Sequence, residues 1–189
     1  NQPPRAIVRV GARLFTTIAD LAGQVFEFEG TGVLLVSPRQ GARISVASRT
    51  YDASQPEGSQ GAFVAAYPAE DTTVPSDGAL FATLRLDDVS SRASVSVVTM
   101  VDDWTDRVVD VFVRAADGTK LASRTLTISK GQRLARMHGV LDNIPAGAAR
   151  WVEFLPRYGT ARLLCYVSQV ADPSGELRVS VATPLLRQP

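Results

Sequence analysis

His138 and Cys165, the one histidine and the one cysteine of this 189-residue chain, form the sharpest candidate for chemistry that the residue types allow. A thiolate activated by an imidazole can attack a carbonyl carbon. Against that reading stands the apolar run Leu163-Leu164-Cys165-Tyr166-Val167, where a buried thiol behaves as a small hydrophobe. Asp102, Asp103 and Asp106, gathered around Trp104, are the densest acidic stretch, and such carboxylates can ligate calcium. The stretch lacks the glycine and the distal glutamate of an EF-hand loop, and aspartates in a strand connection also serve turn amides. Trp104 and Tyr158 are the candidates for stacking on a sugar face, Tyr158 because it sits in the turn Pro156-Arg157-Tyr158-Gly159. Trp151 and Tyr166 lie in strand-like runs, where aromatic side chains of sandwiches usually fill the core. There is no Gly-x-Ser-x-Gly elbow, P-loop or dinucleotide fingerprint, and no spacing among the acidic residues selects a glycosidase pair. The expectation is a non-enzymatic protein with no catalytic residue and no cofactor, calcium being the one ion the sequence leaves open.

Charge and composition narrow the partners. Lysine and arginine total 20 against 19 acidic residues, a net charge of +1. Before residue 75 there are 6 basic and 7 acidic residues, which leaves 14 and 12 after it. Neither part is a polycation and no basic cluster is interleaved with aromatics, so nucleic acid is not an expected partner. No apolar run reaches the roughly 18 residues of a spanning helix, and no membrane span is expected. A single cysteine excludes an intrachain disulfide. With 45% hydrophobic and 21% charged residues the composition is that of a globular protein.

The elements that must hold these residues read as strands. Short alternating runs rich in Val, Thr, Ser and Arg are divided by Gly, Pro and Asp. Over residues 92–97, Ala93, Val95 and Val97 share one face and Arg92, Ser94 and Ser96 the other, the mark of a half-buried strand. Residues 107–115 are more apolar and read as a central strand. Ala116-Asp117-Gly118-Thr119 then predicts a tight hairpin into 120–129, because Asp-Gly supplies positive φ angles. Further strands are expected near 5–10, 24–29, 32–37, 42–50, 61–66, 79–86, 149–155, 160–171 and 176–183. Residues 13–21 and 132–141 carry apolar residues three, four or seven apart, and each predicts a short helix or an irregular crossover.

Those two stretches also align with each other. Gly11, Arg13, Leu14 and Leu21 match Gly131, Arg133, Leu134 and Leu141 at one offset, and Pro38-Arg39-Gln40-Gly41 matches Pro156-Arg157-Tyr158-Gly159. A period near 120 residues is a whole domain. The expected organisation is an incomplete first β-sandwich repeat over 1–74 and a complete one over 75–189. Half a sandwich exposes apolar faces and open edges, so it must pack on the second domain, exchange a strand with another copy, or be completed by sequence upstream.

The segment Ser48-Arg49-Thr50-Tyr51, a Gly/Ser/Pro turn and Gln60-Gly61-Ala62-Phe63-Val64-Ala65 resembles a recurrent pattern of functionally uncharacterised tandem β-sandwich modules in secreted bacterial proteins. Asp117-Gly118-Thr119 running into Leu121 and Thr125, and Tyr166-Val167-Ser168 leading to Asp172-Pro173-Ser174-Gly175, are similar to theirs as well. The resemblance implies export, secreted or at the cell surface, and a sandwich fold; together with the strand pattern and the two irregular stretches, the expected fold is an antiparallel β-sandwich, immunoglobulin-like or similar, with one or two short helices in crossovers. It transfers no catalytic residue. The function expected is a structural or interaction module, self-assembling head to tail by strand complementation, with Ala6, Ile7, Val8, Arg9 and Val10 as the exchanged strand. Its partner would be a further copy of the chain or another extracellular protein. A carbohydrate-binding accessory module, with polysaccharide as the ligand, is the alternative.

Overall fold

The structure is a computed structural model and describes residues 5–11, 14–27, 33–39, 42–50, 62–68, 79–84, 91–99, 105–145, 147–157, 162–171 and 177–184. Contacts divide the chain into two compact units, residues 1–34 and 35–189. The expected boundary at residue 74 lies outside the described residues.

The second unit is an antiparallel β-sandwich. Its first two strands, β1 (Ala47–Thr50) and β2 (Ala62–Ala65), pair only with each other among the described residues, Ala47 opposite Ala65 and Thr50 opposite Ala62. The remaining strands are β3 (Leu80–Thr83), β4 (Ser91–Thr99), β5 (Arg107–Arg114), β6 (Lys120–Ile128), β7 (Leu134–His138), β8 (Trp151–Pro156), β9 (Leu163–Ala171), β10 (Leu177–Val181) and β11 (Thr183–Pro184). They build a four-stranded sheet in the order β10-β9-β4-β7 and a five-stranded sheet in the order β11-β3-β8-β5-β6. All nine of these strands fall within residues 80–184.

Alternation decides what enters the core. Val95 and Val97 of β4 and Cys165 and Val167 of β9 point from one sheet, and Val109, Val111 and Val113 of β5 with Val152 and Phe154 of β8 point from the other, none more than 1% exposed. β-Branched side chains are stiff at χ1 and fit a pleated surface, so this valine-rich layer favours the strands as well as filling the space between them. Each such side chain removed from water is worth about 1.5–3 kcal/mol.

The strand β4 departs from its expected half-burial. Ser96 is fully buried and Ser94 is 9% exposed, although both point away from the intersheet core. Central placement explains it: Ser96 is flanked in register by Tyr166 of β9 and Arg136 of β7, whose long side chains outreach a serine.

Residues 132–141 hold the strand β7, where a helix or crossover was expected. Ala135 and Met137 pack against the core while Arg136 and His138 are exposed, a two-residue period. The helix-like spacing arises because the chain then turns at Gly139, φ 66°, and returns Val140 and Leu141 to the same core. The hairpin between β5 and β6 forms where expected, with a different turn. Only Gly118, at φ 87°, is left-handed and Asp117 is not; the Gly118 N–H donates to the Ala115 carbonyl at 3.1 Å and the Ala115 N–H to the Thr119 carbonyl at 2.9 Å, while a separate one-residue register shift between Val113 and Arg114 falls at Leu121. This is a three-residue loop with a glycine bulge and not a two-residue turn with both φ angles positive. The Asp117 carboxylate accepts from the Thr119 N–H at 2.9 Å, and that bond holds its pKa below the usual value.

Three expected strands are not formed in the described residues: 5–10 and 33–37 carry no sheet pairing, and 21–25 form a single π-helical turn. Asp20, left-handed at φ 47°, starts that turn, its carboxylate accepting from the Gly23 N–H at 3.0 Å. Alternation records the capacity to pair, and a strand exists only where a partner supplies the ladder.

Candidate functional site

Cys165 and His138 do not come together. The Cys165 side chain faces the intersheet core, opposite Val97, and burial pushes its thiol up to about 12. His138 projects from the other face of the same sheet, where its Nδ1 lies 2.9 Å from the Ser94 Oγ directly across the β4–β7 pair. The Ser168 Oγ in turn donates to the Ser94 carbonyl at 3.5 Å. A serine beside an imidazole is half of a nucleophile-base arrangement, which also needs an orienting acid and donors for an oxyanion. Among the described residues no carboxylate bonds to His138. The pair works as a cross-strand polar clasp on a sheet face.

Of the aspartates considered for calcium, Asp102 and Asp103 lie outside the described residues, as do Trp104 and Tyr158. Asp106 accepts from the Lys130 N–H at 2.8 Å, tying the entry of β5 to the turn after β6. Among the described residues no group of three or more His, Cys, Asp or Glu is placed to hold a metal ion. The segment Ala6, Ile7, Val8, Arg9 and Val10 is described, has no strand pairing there and is exposed throughout, with Ile7 at 69% and Val8 at 48%.

The structure assembles instead a constellation on the outer face of the five-stranded sheet. Val109, Val111 and Val113 turn inward, so Asp110, Phe112 and Arg114 of β5 must turn outward, between Thr125 and Ser123 of β6 on one side and Leu155, Glu153 and Trp151 of β8 on the other. Arg157, just past β8, clamps Asp110 with two bonds, Nε to Oδ2 at 2.6 Å and Nη2 to Oδ1 at 2.7 Å. The Thr125 hydroxyl donates to Asp110 Oδ1 at 2.8 Å. The bond from Arg157 is the main cause of a lowered Asp110 pKa, with Thr125 adding to it and burial opposing. Arg114 donates to the Glu153 carboxylate and to the Gly118 carbonyl. The Arg114 guanidinium carbon and Lys120 Nζ stand 5.6 and 5.8 Å from the Phe112 ring centroid, within cation-π range. Asp110, Phe112, Ser123, Arg124, Thr125 and Arg157 line a shallow pocket of about 260 Å³.

Among the described residues, two aromatic side chains share this outer face with Phe112. Phe81 of β3 is opposite Glu153, and Trp151 is opposite both Arg114 and Thr83. Trp151 was expected in the core; the fully buried Val152 and Phe154 take the inward positions of β8 and leave Trp151 outward and half-buried. The outward set was visible in sequence only as Phe112 and Asp110 alternating with valines. Its ion pairs join residues 39 and 47 positions apart, which strand order alone brings together.

No family model matches the chain, and no curated protein matches it. A solved structure, Thermotoga maritima 1070, aligns over 58% of this chain and 96% of its own length at 10% identity, with a TM-score of 0.44. No helix among the described residues is long and apolar enough to cross a membrane.

Proposed function

We propose that the chain is a non-catalytic module of the cell exterior that joins copies of itself, residues 6–10 adding as a strand to a neighbouring copy. One observation carries this reading. Six of the eleven exposed large hydrophobic residues among those described, Ile7, Val8, Val10, Leu14, Phe15 and Leu34, lie in the unit of residues 1–34, while the sandwich strands contribute Leu155 alone. Apolar side chains gathered in one small unit mark an interaction site, whereas scattered residues would need no explanation. Ile7, Val8 and Val10 are β-branched and their backbone groups have no ladder among the described residues, which suits strand addition. The two-stranded β1–β2 sheet is the natural acceptor, because a sheet of two strands is marginal and gains most from a third. Donation from one copy to the next is heterologous and propagates as a fibre unless it closes a ring. The non-catalytic part rests on Cys165 and His138 occupying opposite faces of one sheet; the exterior location rests on the resemblance to secreted sandwich modules.

Light scattering across a wide concentration range tests the assembly. The intact chain should grow in mass with concentration, and a chain lacking residues 1–11, or carrying Val8→Asp and Val10→Asp together, should stay monomeric. An intact chain that stays monomeric throughout contradicts the proposal.

A further inference from the structure

The geometry points to a second binding site: the pocket beside Phe112 on the outer face of the five-stranded sheet takes a short saccharide that carries a carboxylate. The size fits, since about 260 Å³ is just under the roughly 300–1,000 Å³ of drug-sized sites and suits a sugar ring. So does the lining. Asp110 and Arg157 are fixed on each other by two bonds, with Thr125 on the same carboxylate, so acceptor and donor are held in place before any ligand arrives. Exposed Ser123 and Thr125 add hydroxyls, the groups that pair with a polyol. The Phe112 ring supplies the apolar surface on which the C–H face of a sugar rests. Arg114 and Lys120 stand against that ring and do not line the pocket, so their charge reinforces the site without filling it.

Charge selects the carboxylate. Asp110 and Glu153 are each matched by an arginine, Arg157 and Arg114, whereas Lys120, outward in register with Arg114 and exposed, meets no carboxylate among the described residues and stands 5.8 Å from the Phe112 ring centroid. The pocket is not a site for strand addition: β5 is paired on both sides, and a strand added at the outer edge of β6 would lie in the plane of the sheet, beside this face and not on it, so recognition in the pocket comes from side chains. Phe81 continues the face two strands away, about 10 Å by the usual interstrand spacing, which a ligand of more than one sugar ring is needed to span.

The test uses the full chain and tri(galacturonic acid), with the neutral galactose trimer and hexaglutamate as comparison probes, followed by amide chemical shifts and calorimetry. The expected result is submillimolar binding of the acidic trimer, with shifts at Phe112, Ser123 and Thr125, and affinity for the neutral trimer lower by at least about tenfold. Lys120→Gln, an exposed change at the start of an edge strand, should lose about the same factor, and Arg39→Gln should lose none. No shift with millimolar acidic trimer, shifts away from this face, or hexaglutamate binding equally well with the same dependence on Lys120 would each overturn the assignment.

Discussion

Val8 and Val95 occupy runs that look alike on paper, Ala6-Ile7-Val8-Arg9-Val10 and Arg92-Ala93-Ser94-Val95-Ser96, yet Val95 is fully buried and Val8 is 48% exposed. The difference lies in their neighbours. β4 has β9 on one side and β7 on the other, and the valines of β5 across the core. Residues 6–10 have the same β-branched side chains and no ladder among the described residues. Local propensity is therefore satisfied in one region and left unspent in the other, and in the proposed assembly the missing partner of the second region is another molecule.

The contrast is broken most severely in the core. Phe154→Ala empties a fully buried position between the sheets and should cost about 3–5 kcal/mol, seen as a lower denaturant midpoint. Phe15→Ala, at a position 91% exposed, should change monomer stability by no more than about 0.5 kcal/mol. Equal costs at the two sites would mean that the N-terminal region is packed as firmly as the sandwich.

Cys165 gives the next largest effect. Cys165→Ser places a hydroxyl among valines and should cost about 1–3 kcal/mol, since a buried polar group without a partner bears its full desolvation. The native thiol, pushed up to about 12, should react with a disulfide reagent at neutral pH only when the sandwich unfolds. Fast labelling of the native protein would place the thiol outside the core.

A smaller change sharpens the hairpin. Gly118→Ala meets no atom within 4 Å of the added methyl, so its cost should be that of a left-handed alanine alone, about 1–2 kcal/mol. A cost near zero would mean that the turn relaxes to another form.

The smallest effect belongs to Asp110. Its folded pKa is lowered by Arg157, so the pair contributes stability above the unfolded aspartate value of about 3.9, and that contribution is lost as pH falls through the folded value. Arg157 is half-exposed, so Asp110→Asn should cost only about 0.2–1 kcal/mol at neutral pH, with a correspondingly flatter acid limb in a pH-stability profile. An unchanged limb would show the pair to be energetically neutral.

Much of the sandwich was legible because a two-residue period marks an inward face directly: Val109, Val111 and Val113 alternate with Asp110, Phe112 and Arg114 from the sequence alone. Gly118 likewise marked its turn, though not the bulge, which depends on a φ angle at Asp117 that Asp-Gly does not dictate. β7 was hidden because a strand followed at once by a core-facing turn places apolar residues at helical intervals. The outer-face site was hidden for a different reason. Asp110, Thr125 and Arg157 meet only because β5 lies between β6 and β8, and alternation assigns faces without assigning neighbours. Cys165 and His138, the pair that chemistry singled out, fall on opposite faces of one sheet for the same reason.

Amide hydrogen exchange of residues 7–10 at low and high protein concentration reads the very backbone that strand addition would pair. Addition to a neighbouring copy predicts fast exchange at low concentration and protection at high concentration, rising together with the mass and with protection in β1 or β2. Fast exchange at every concentration would contradict it, whether or not the chain associates by another surface.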